Sequence, residues 1–134
     1  MLLTASCRAG STDQRDSPPD PANGLPFGIV ESPHSGETVG RVVDVMGWAV
    51  DDSAVRIVHI YVDGTYQASA HLTIGRADVA KQYPRYGSPG DIHGWHTLAD
   101  LGEKPGVHEI IVQAVDDRGA TRDIGAFVVN LIDR

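Results

Sequence analysis

Two pairs of neighbouring aspartates are the side chains best suited to binding a metal ion. Asp51 and Asp52 follow one apolar run, and Asp116 and Asp117 follow another. Ca²⁺ takes about six to eight oxygen ligands at flexible distances, and carboxylates on loops supply them. If the fold brings the two loops together at one end, the four carboxylates predict a calcium site. No other cofactor is expected.

A competing interpretation makes the same aspartates structural. Aspartate after a strand commonly accepts hydrogen bonds from the backbone of its own turn. Arg76 is expected beside the same loops, next to Asp78 at the start of a short helix. Its guanidinium would pair with Asp51 or Asp116 and remove the need for a metal. The alternating aspartates of a calcium-binding loop are missing from the sequence, which favours this second interpretation.

Another group of residues suits sugar recognition. Aromatic faces stack on the C–H faces of sugars, and nearby polar side chains bond the hydroxyls. Tyr86 and Trp95 flank a glycine-rich loop and are predicted to be exposed. The full set of predicted ligand-binding residues is Tyr83, Arg85, Tyr86, Asp91, His93 and Trp95.

Trp48 raises a related question of exposure. The alternation of Val43, Val45, Gly47 and Ala49 predicts that these residues face the core, which turns Trp48 to the opposite face. An outward tryptophan needs either a cover or a ligand. The favoured interpretation is that the segment 72–91 folds over it, because tryptophan is usually well buried.

The sequence offers little evidence for a catalytic motif. His93 and His96 would point to opposite faces of a strand, so they cannot chelate one metal. His108 is in phase with buried positions and is predicted to be a hydrogen-bonded residue near the sheet edge. A nucleophile elbow, a dinucleotide-binding glycine motif and a phosphate loop are all missing. We therefore expect no enzymatic activity.

The elements that position these residues are short strands. Turn residues separate seven apolar runs, and the run 55–62 is predicted to be a central strand covered on both faces. Asp63-Gly64 predicts a tight hairpin, and Ala77–Tyr83 predicts the one short helix. The seven runs are 27–31, 41–50, 55–62, 66–74, 93–98, 107–115 and 123–131. This pattern predicts an all-β fold, an antiparallel immunoglobulin-like β-sandwich of about seven strands.

Several motifs resemble those of bacterial immunoglobulin-like domains, which recur in secreted and cell-envelope proteins. They are GWAVD at 47–51, VDG at 62–64, RADVA at 76–80 with YP at 83–84, and GVH at 106–108 with AVD at 114–116 and Gly119. The resemblance implies a non-enzymatic module of recognition, adhesion or spacing, with a protein or glycan partner at the cell surface. The family usually has proline where this chain has Ala77.

The N-terminal residues 1–26 are predicted to be a flexible tether, and residues 27–134 the folded domain. The segment LTASC at 3–7 resembles the lipobox of bacterial lipoproteins, in which the cysteine is lipidated. Either Cys7 carries a lipid anchor, which would be the only link to a membrane, or it is an incidental thiol. Both interpretations stay open, because most of a signal peptide is missing ahead of it.

Charge and composition exclude several classes of partner. The 134 residues carry a net charge of −7 and a single cysteine. An acidic chain without a basic face is poorly suited to neutralising phosphates, so no nucleic-acid partner is expected. One cysteine cannot form an intramolecular disulfide. The resemblance to bacterial immunoglobulin-like domains implies an envelope or extracellular domain, with its partner unidentified.

Overall fold

The computed structural model describes residues 25–86 and 89–132. In this part of the chain the backbone forms nine β-strands and one α-helix. The strands are β1 (Phe27–Ser32), β2 (Thr38–Val39), β3 (Val42–Val50), β4 (Val55–Val62), β5 (Thr65–Ala70), β6 (Ile74–Gly75), β7 (Ile92–Asp100), β8 (Gly106–Asp116) and β9 (Thr121–Leu131). The helix, α1, is Ala77–Gln82, one residue shorter than predicted.

The strands form two sheets packed face to face. A four-stranded sheet has the order β1-β3-β7-β6, and a five-stranded sheet has the order β2-β9-β8-β4-β5. All pairs are antiparallel except β2 with β9, which is parallel. Both sheets place strands side by side that are not consecutive in sequence, β3 beside β7 in one sheet and β4 beside β8 in the other, as the immunoglobulin fold does. The prediction of an immunoglobulin-like sandwich with one short helix is confirmed.

The hairpin after β4 forms as predicted, but the strand that follows it is divided. Asp63 and Gly64 have φ angles of 52° and 82°, the left-handed conformation that a tight hairpin turn requires. The predicted strand 66–74 contributes β5 to the five-stranded sheet and β6 to the four-stranded sheet. The chain therefore crosses between the sheets at residues 71–73.

The main core lies between the two sheets. Every second residue of β8, from His108 to Asp116, is buried, which is the period expected of a strand with one face inside. The prediction that β4 is covered on both faces is wrong. Val58, Ile60 and Val62 are buried, whereas the alternating Ile57, His59 and Tyr61 are only half-buried on the outer face.

A second apolar cluster lies on the outer face of the four-stranded sheet. Trp48 and Val50 on β3 pack there against Val79 of α1 and Tyr86 of the following 3₁₀ turn, with Phe27 and Tyr83 at the margin. Trp48 is 5% exposed. The prediction that the segment after β6 covers Trp48 is confirmed.

Candidate functional site

The two aspartate loops meet at one end of the sandwich, which we call the acidic end. The backbone N–H of Asp117 donates to the carbonyl of Ala54 across 3.0 Å. Each loop is also closed by its own aspartate. Asp51 Oδ2 accepts hydrogen bonds from the backbone N–H and the hydroxyl of Ser53, at 2.9 and 2.6 Å.

Asp116 closes the second loop in the same way. Its Oδ1 accepts from the backbone N–H groups of Arg118 and Ala120, at 2.9 and 2.8 Å. Both Asp51 and Asp116 are buried, and burial is the main cause of the raised pKa of Asp51. Asp51 Oδ1 and Asp116 Oδ2 have no hydrogen-bond partner in the described residues. The structural interpretation of these two aspartates agrees with this geometry.

Arg118 contributes a cation to the acidic end. Its Nη2 lies 2.7 Å from Asp52 Oδ1 and 4.0 Å from Asp51 Oδ2. Among residues 25–86 and 89–132, no group of three or more His, Cys, Asp or Glu side chains is arranged to hold a metal ion. The predicted calcium set is therefore not assembled, because two of its carboxylates cap their loops and a third, on Asp52, pairs with arginine.

Arg76 was predicted to neutralise these loops, and this prediction is wrong. Its guanidinium instead contacts Glu31 at 2.7 Å and Asp78 at 2.8 Å. Hydrogen bonds to these carboxylates raise the pKa of Arg76, and the arginine lowers the pKa of Asp78 to about 2. The three side chains connect the start of α1 to the edge strand β1, so Arg76 and Asp78 hold the cover over Trp48 in place.

Trp95 and Tyr86 are not the exposed platforms that the sequence predicted. Trp95 has no exposed surface and lies in the main core, because it stands opposite Gly47, whose missing side chain leaves room for the indole. Tyr86 is 7% exposed and packs into the cluster around Trp48. Neither ring offers a face to a ligand in this structure.

The other members of the predicted sugar site are spread over different environments. Tyr83 packs edge-on against Tyr86 and Phe27, and Arg85 is exposed. Asp91 is half-buried, with a φ of 55°. His93 is buried, and burial lowers its pKa. The structure therefore does not collect these residues around one accessible surface.

The burial of the histidines on strands follows the predicted alternation of faces. His93 is buried and His96 is exposed, on opposite faces of β7. His108 is buried, and its Nδ1 and Nε2 lie 2.6 Å from Asp63 Oδ2 and 2.7 Å from the Lys104 carbonyl. The prediction that His108 is hydrogen-bonded is confirmed, but its predicted place near the sheet edge is wrong, because β8 lies between β9 and β4. Its bonds connect the start of β8 to the hairpin after β4.

A group of three aromatic residues that the sequence analysis did not single out lies on the outer face of the five-stranded sheet. We call His59, Tyr61 and Tyr66 the aromatic triad. Their ring centroids are 5.5 to 6.4 Å apart, and each pair meets edge to face. Tyr66 is 54% exposed, and the other two are half-buried. The triad thus presents aromatic surface to solvent on a paired sheet.

Ser69 fixes two of these rings. Its Oγ lies 2.8 Å from His59 Nδ1 and 2.6 Å from the Tyr66 hydroxyl. Across the sheet, the Tyr61 hydroxyl makes a longer 3.5 Å bond to Gln113 Oε1. The signal for this group was in the sequence, because His59 and Tyr61 share one face of β4 and the Asp63-Gly64 hairpin folds Tyr66 back beside Tyr61.

Comparisons with known proteins concern the fold alone. The chain is similar to fibronectin(III)-like modules of CbhA from Clostridium thermocellum, with 20% identity over 82% of this chain and 47% of that one and a TM-score of 0.49. The chain thus spans about half the length of that structure. It is also similar to CopC from Methylosinus trichosporium OB3b, with 13% identity over 80% of this chain and 95% of that one and a TM-score of 0.41. Neither a protein-family model nor a curated protein matches the sequence.

The predicted membrane anchor cannot be placed on this fold. Cys7 and most of the predicted tether 1–26 lie outside the described residues. Within those residues, no helix is both long and apolar enough to cross a membrane.

Proposed function

We propose that this chain is a non-enzymatic recognition module of the bacterial envelope or exterior, and that it binds its partner through the outer face of the five-stranded sheet. The observation that carries the proposal is the aromatic triad. Aromatic residues dominate the energetics of many binding surfaces, and tyrosine does so with few rotatable bonds.

The packing of the two sheets supports this choice of face. The outer face of the four-stranded sheet is partly covered by α1, whereas among residues 25–86 and 89–132 no such cover lies over the triad on β4 and β5. The triad rings are held by cross-strand contacts and by Ser69, so a partner meets a surface that is already ordered. A preordered surface loses less conformational entropy when it binds.

Cosedimentation with isolated cell envelopes of the source organism tests the proposal. The 134-residue chain should sediment with envelopes, and Tyr66→Thr should not, because threonine keeps β-propensity but lacks the ring. Leu98→Ala is the matched control, since Leu98 is an exposed apolar residue on the other sheet. Equal sedimentation of Tyr66→Thr and the unmodified chain would exclude this face as the binding surface.

A spacing role is the second candidate, and the path of the chain favours it. Phe27 at the start of β1 pairs with Val50, beside the acidic end, whereas Leu131 at the end of β9 pairs with Gly106 at the opposite end. The domain therefore separates the segments that enter and leave it by about 35 Å, the length of an eleven-residue strand.

Domain exchange separates spacing from recognition. In cells that carry the chain, residues 27–132 are replaced with an unrelated sandwich whose ends are equally far apart. If the domain only spaces the segments on either side of it, this replacement should preserve the cellular function of the chain. Loss of function on exchange, together with loss in Tyr66→Thr, would favour recognition.

A further inference from the structure

The relative orientation of the three triad rings limits the ligands that they can receive. The interplanar angles are 82° for His59 with Tyr66, 78° for His59 with Tyr61 and 74° for Tyr61 with Tyr66. Rings that are nearly perpendicular to one another cannot form a coplanar strip. A flat crystalline surface needs such a strip, whereas one ring face is enough to stack one small ring of a ligand.

Polar atoms beside the rings suit a ligand that is rich in hydroxyl groups. Tyr66, Ser69 and His59 form a chain of hydrogen bonds with Ser69 in the middle. A serine hydroxyl has one proton and two lone pairs, so Ser69 donates to one neighbour and accepts from the other, or accepts from both. When it donates to His59, an N–H of His59 remains as a donor; when it donates to Tyr66, the O–H of Tyr66 remains; when it accepts from both, its own O–H remains. Each of these groups can donate to a ligand.

The charge around the triad favours an uncharged ligand. Ser69, Gln113 and Ile111 surround the rings across the strands and carry no charge. Two acidic residues lie on the same face of β8 and β9: Asp123 stands opposite Gln113, and Glu109 precedes Ile111 by one pleat. The whole chain carries a net charge of −7. These charges repel phosphorylated or carboxylated polymers.

We infer that the aromatic triad binds a neutral oligosaccharide chain, with one sugar ring stacked on Tyr66 and its hydroxyls bonded by the polar groups beside that ring. This inference rests on the recognition function proposed above and names the class of its ligand. Neutral sugars combine an apolar C–H face with a rim of hydroxyls, which matches an exposed ring among uncharged donors and acceptors.

Titration of the ¹⁵N-labelled 134-residue chain with soluble neutral oligosaccharides tests the inference. The panel contains cello-, chito-, xylo-, manno- and laminari-oligosaccharides. At least one should saturably shift the amide resonances of residues 59–69 and 111–113. Tyr66→Thr should weaken its binding about tenfold or more, whereas Tyr66→Phe, which keeps the ring, should stay within about threefold. Leu98→Ala should bind like the unmodified chain.

Two further measurements test the single-ring geometry and the stability of the variants. Crystalline cellulose and crystalline chitin should not retain the chain, because the rings are not coplanar, and retention that depends on Tyr66 would overturn the single-ring geometry. Tyr66→Thr and Tyr66→Phe should unfold at nearly the temperature of the unmodified chain. If Tyr66→Thr is less stable, the Tyr66→Leu variant replaces it, since leucine keeps apolar contact without an aromatic face.

Chemical treatment of the envelopes distinguishes the ligand class from the recognition function itself. Periodate, which cleaves the vicinal diols of 1,4-linked glucose, xylose and mannose units, should abolish Tyr66-dependent sedimentation, and protease treatment should not. Internal units of chito- and laminari-oligosaccharides have no vicinal diol, so a chitinase or a β-1,3-glucanase takes the place of periodate if the titration identifies one of these as the ligand. This result supports a glycan even if the panel lacks the right one. The opposite result, with no binding to the panel, would replace the glycan with a protein partner and leave recognition intact. Sedimentation independent of Tyr66, with no binding to the panel, would overturn both.

Discussion

The indole of Trp95 occupies the space that a side chain at Gly47 would fill. The two residues are register partners on β7 and β3, and Trp95 Cζ2 lies 3.0 Å from the position of a Cβ built on Gly47. On the other side, that Cβ would collide with the carbonyl oxygen of Ile29. Glycine at this position therefore permits both the burial of the tryptophan and the close approach of β1.

Gly47→Ala should consequently be strongly destabilising, by about 3 kcal/mol or more, because neither the backbone of β1 nor the indole can move without loss of packing. Chemical denaturation monitored by circular dichroism measures the free energy of unfolding. Gly40→Ala is the matched control, since a Cβ at Gly40 meets nothing within 4 Å. Equal stability of the two variants would contradict the packing described here.

Trp48→Ala should release the cover of the four-stranded sheet. We expect a loss of about 3–5 kcal/mol, as for large aromatic deletions in cores. Hydrogen exchange should also rise locally at the Tyr83 amide, which donates to the Val79 carbonyl in α1. Amides of β8 and β9 should stay the slowest to exchange. Trp95→Ala, by contrast, should accelerate exchange in both sheets.

Arg76→Met should destabilise the domain by about 1–2 kcal/mol, because it leaves Glu31 without its charged partner and frees the start of α1. Thermal unfolding of the variant and the unmodified chain measures this difference. Arg41→Met serves as the control, since the ion pairs of Arg41 with Asp100 and Glu103 are half-exposed or more. An unchanged midpoint is expected for that variant.

His108 should stabilise the fold more in mild acid than in base. Both ring nitrogens face acceptors, so the protonated ring donates twice, and the bonds to Lys104 and Asp63 raise the pKa of His108. The stabilisation that His108 gives is complete at pH values below 6.5, the pKa of the ring in the unfolded chain. It is lost as the pH rises through the raised pKa of the folded state. The N–H of Glu109 and the bond from His108 lower the pKa of Asp63, so the contribution also falls in strong acid, below about 3.8.

The measurement compares His108→Gln with the unmodified chain by denaturant unfolding at pH 5.5 and pH 8.5. We expect the variant to lose about 1–2 kcal/mol more at the lower pH. His93 acts in the opposite direction, because burial lowers its pKa and acid must then charge a buried ring. His93→Gln should therefore raise the stability at pH 5.5 relative to that at pH 8.5, a change opposite in sign to that of His108→Gln. A pH-independent effect of His108→Gln would show that the ring is neutral in the fold.

The fold could be predicted because its signals are local. Alternation on β3 and β8, the Asp63-Gly64 turn and the caps of Asp51 and Asp116 each depend on residues close in sequence. The burial of Trp95 could not be predicted in this way. It depends on Gly47 lying opposite, and that register is set by contacts across the whole sheet.

The ion pair of Arg76 could not be predicted from the sequence for the same reason. Position along the chain placed it near the aspartate loops, but Glu31 on β1 is distant in sequence and lies nearer in the fold. The triad was missed for a different reason. The apolar run 55–62 predicts a strand covered on both faces, and that prediction leaves no exposed face on which His59 and Tyr61 could form a binding surface.

The parallel pairing of β2 with β9 determines how the domain bears a mechanical load. The bonds from Asn130 to Glu37 and from Ile132 to Val39 run between strands that point the same way. Tension between the chain before residue 25 and the chain after residue 132 first loads β1 along β3, and then pulls β2 past β9 along their length. All of these bonds are then strained together instead of opening one after another. We expect force spectroscopy to show a distinct force peak that is lowered by Asn130→Pro, which removes the backbone N–H that donates to the carbonyl of Glu37.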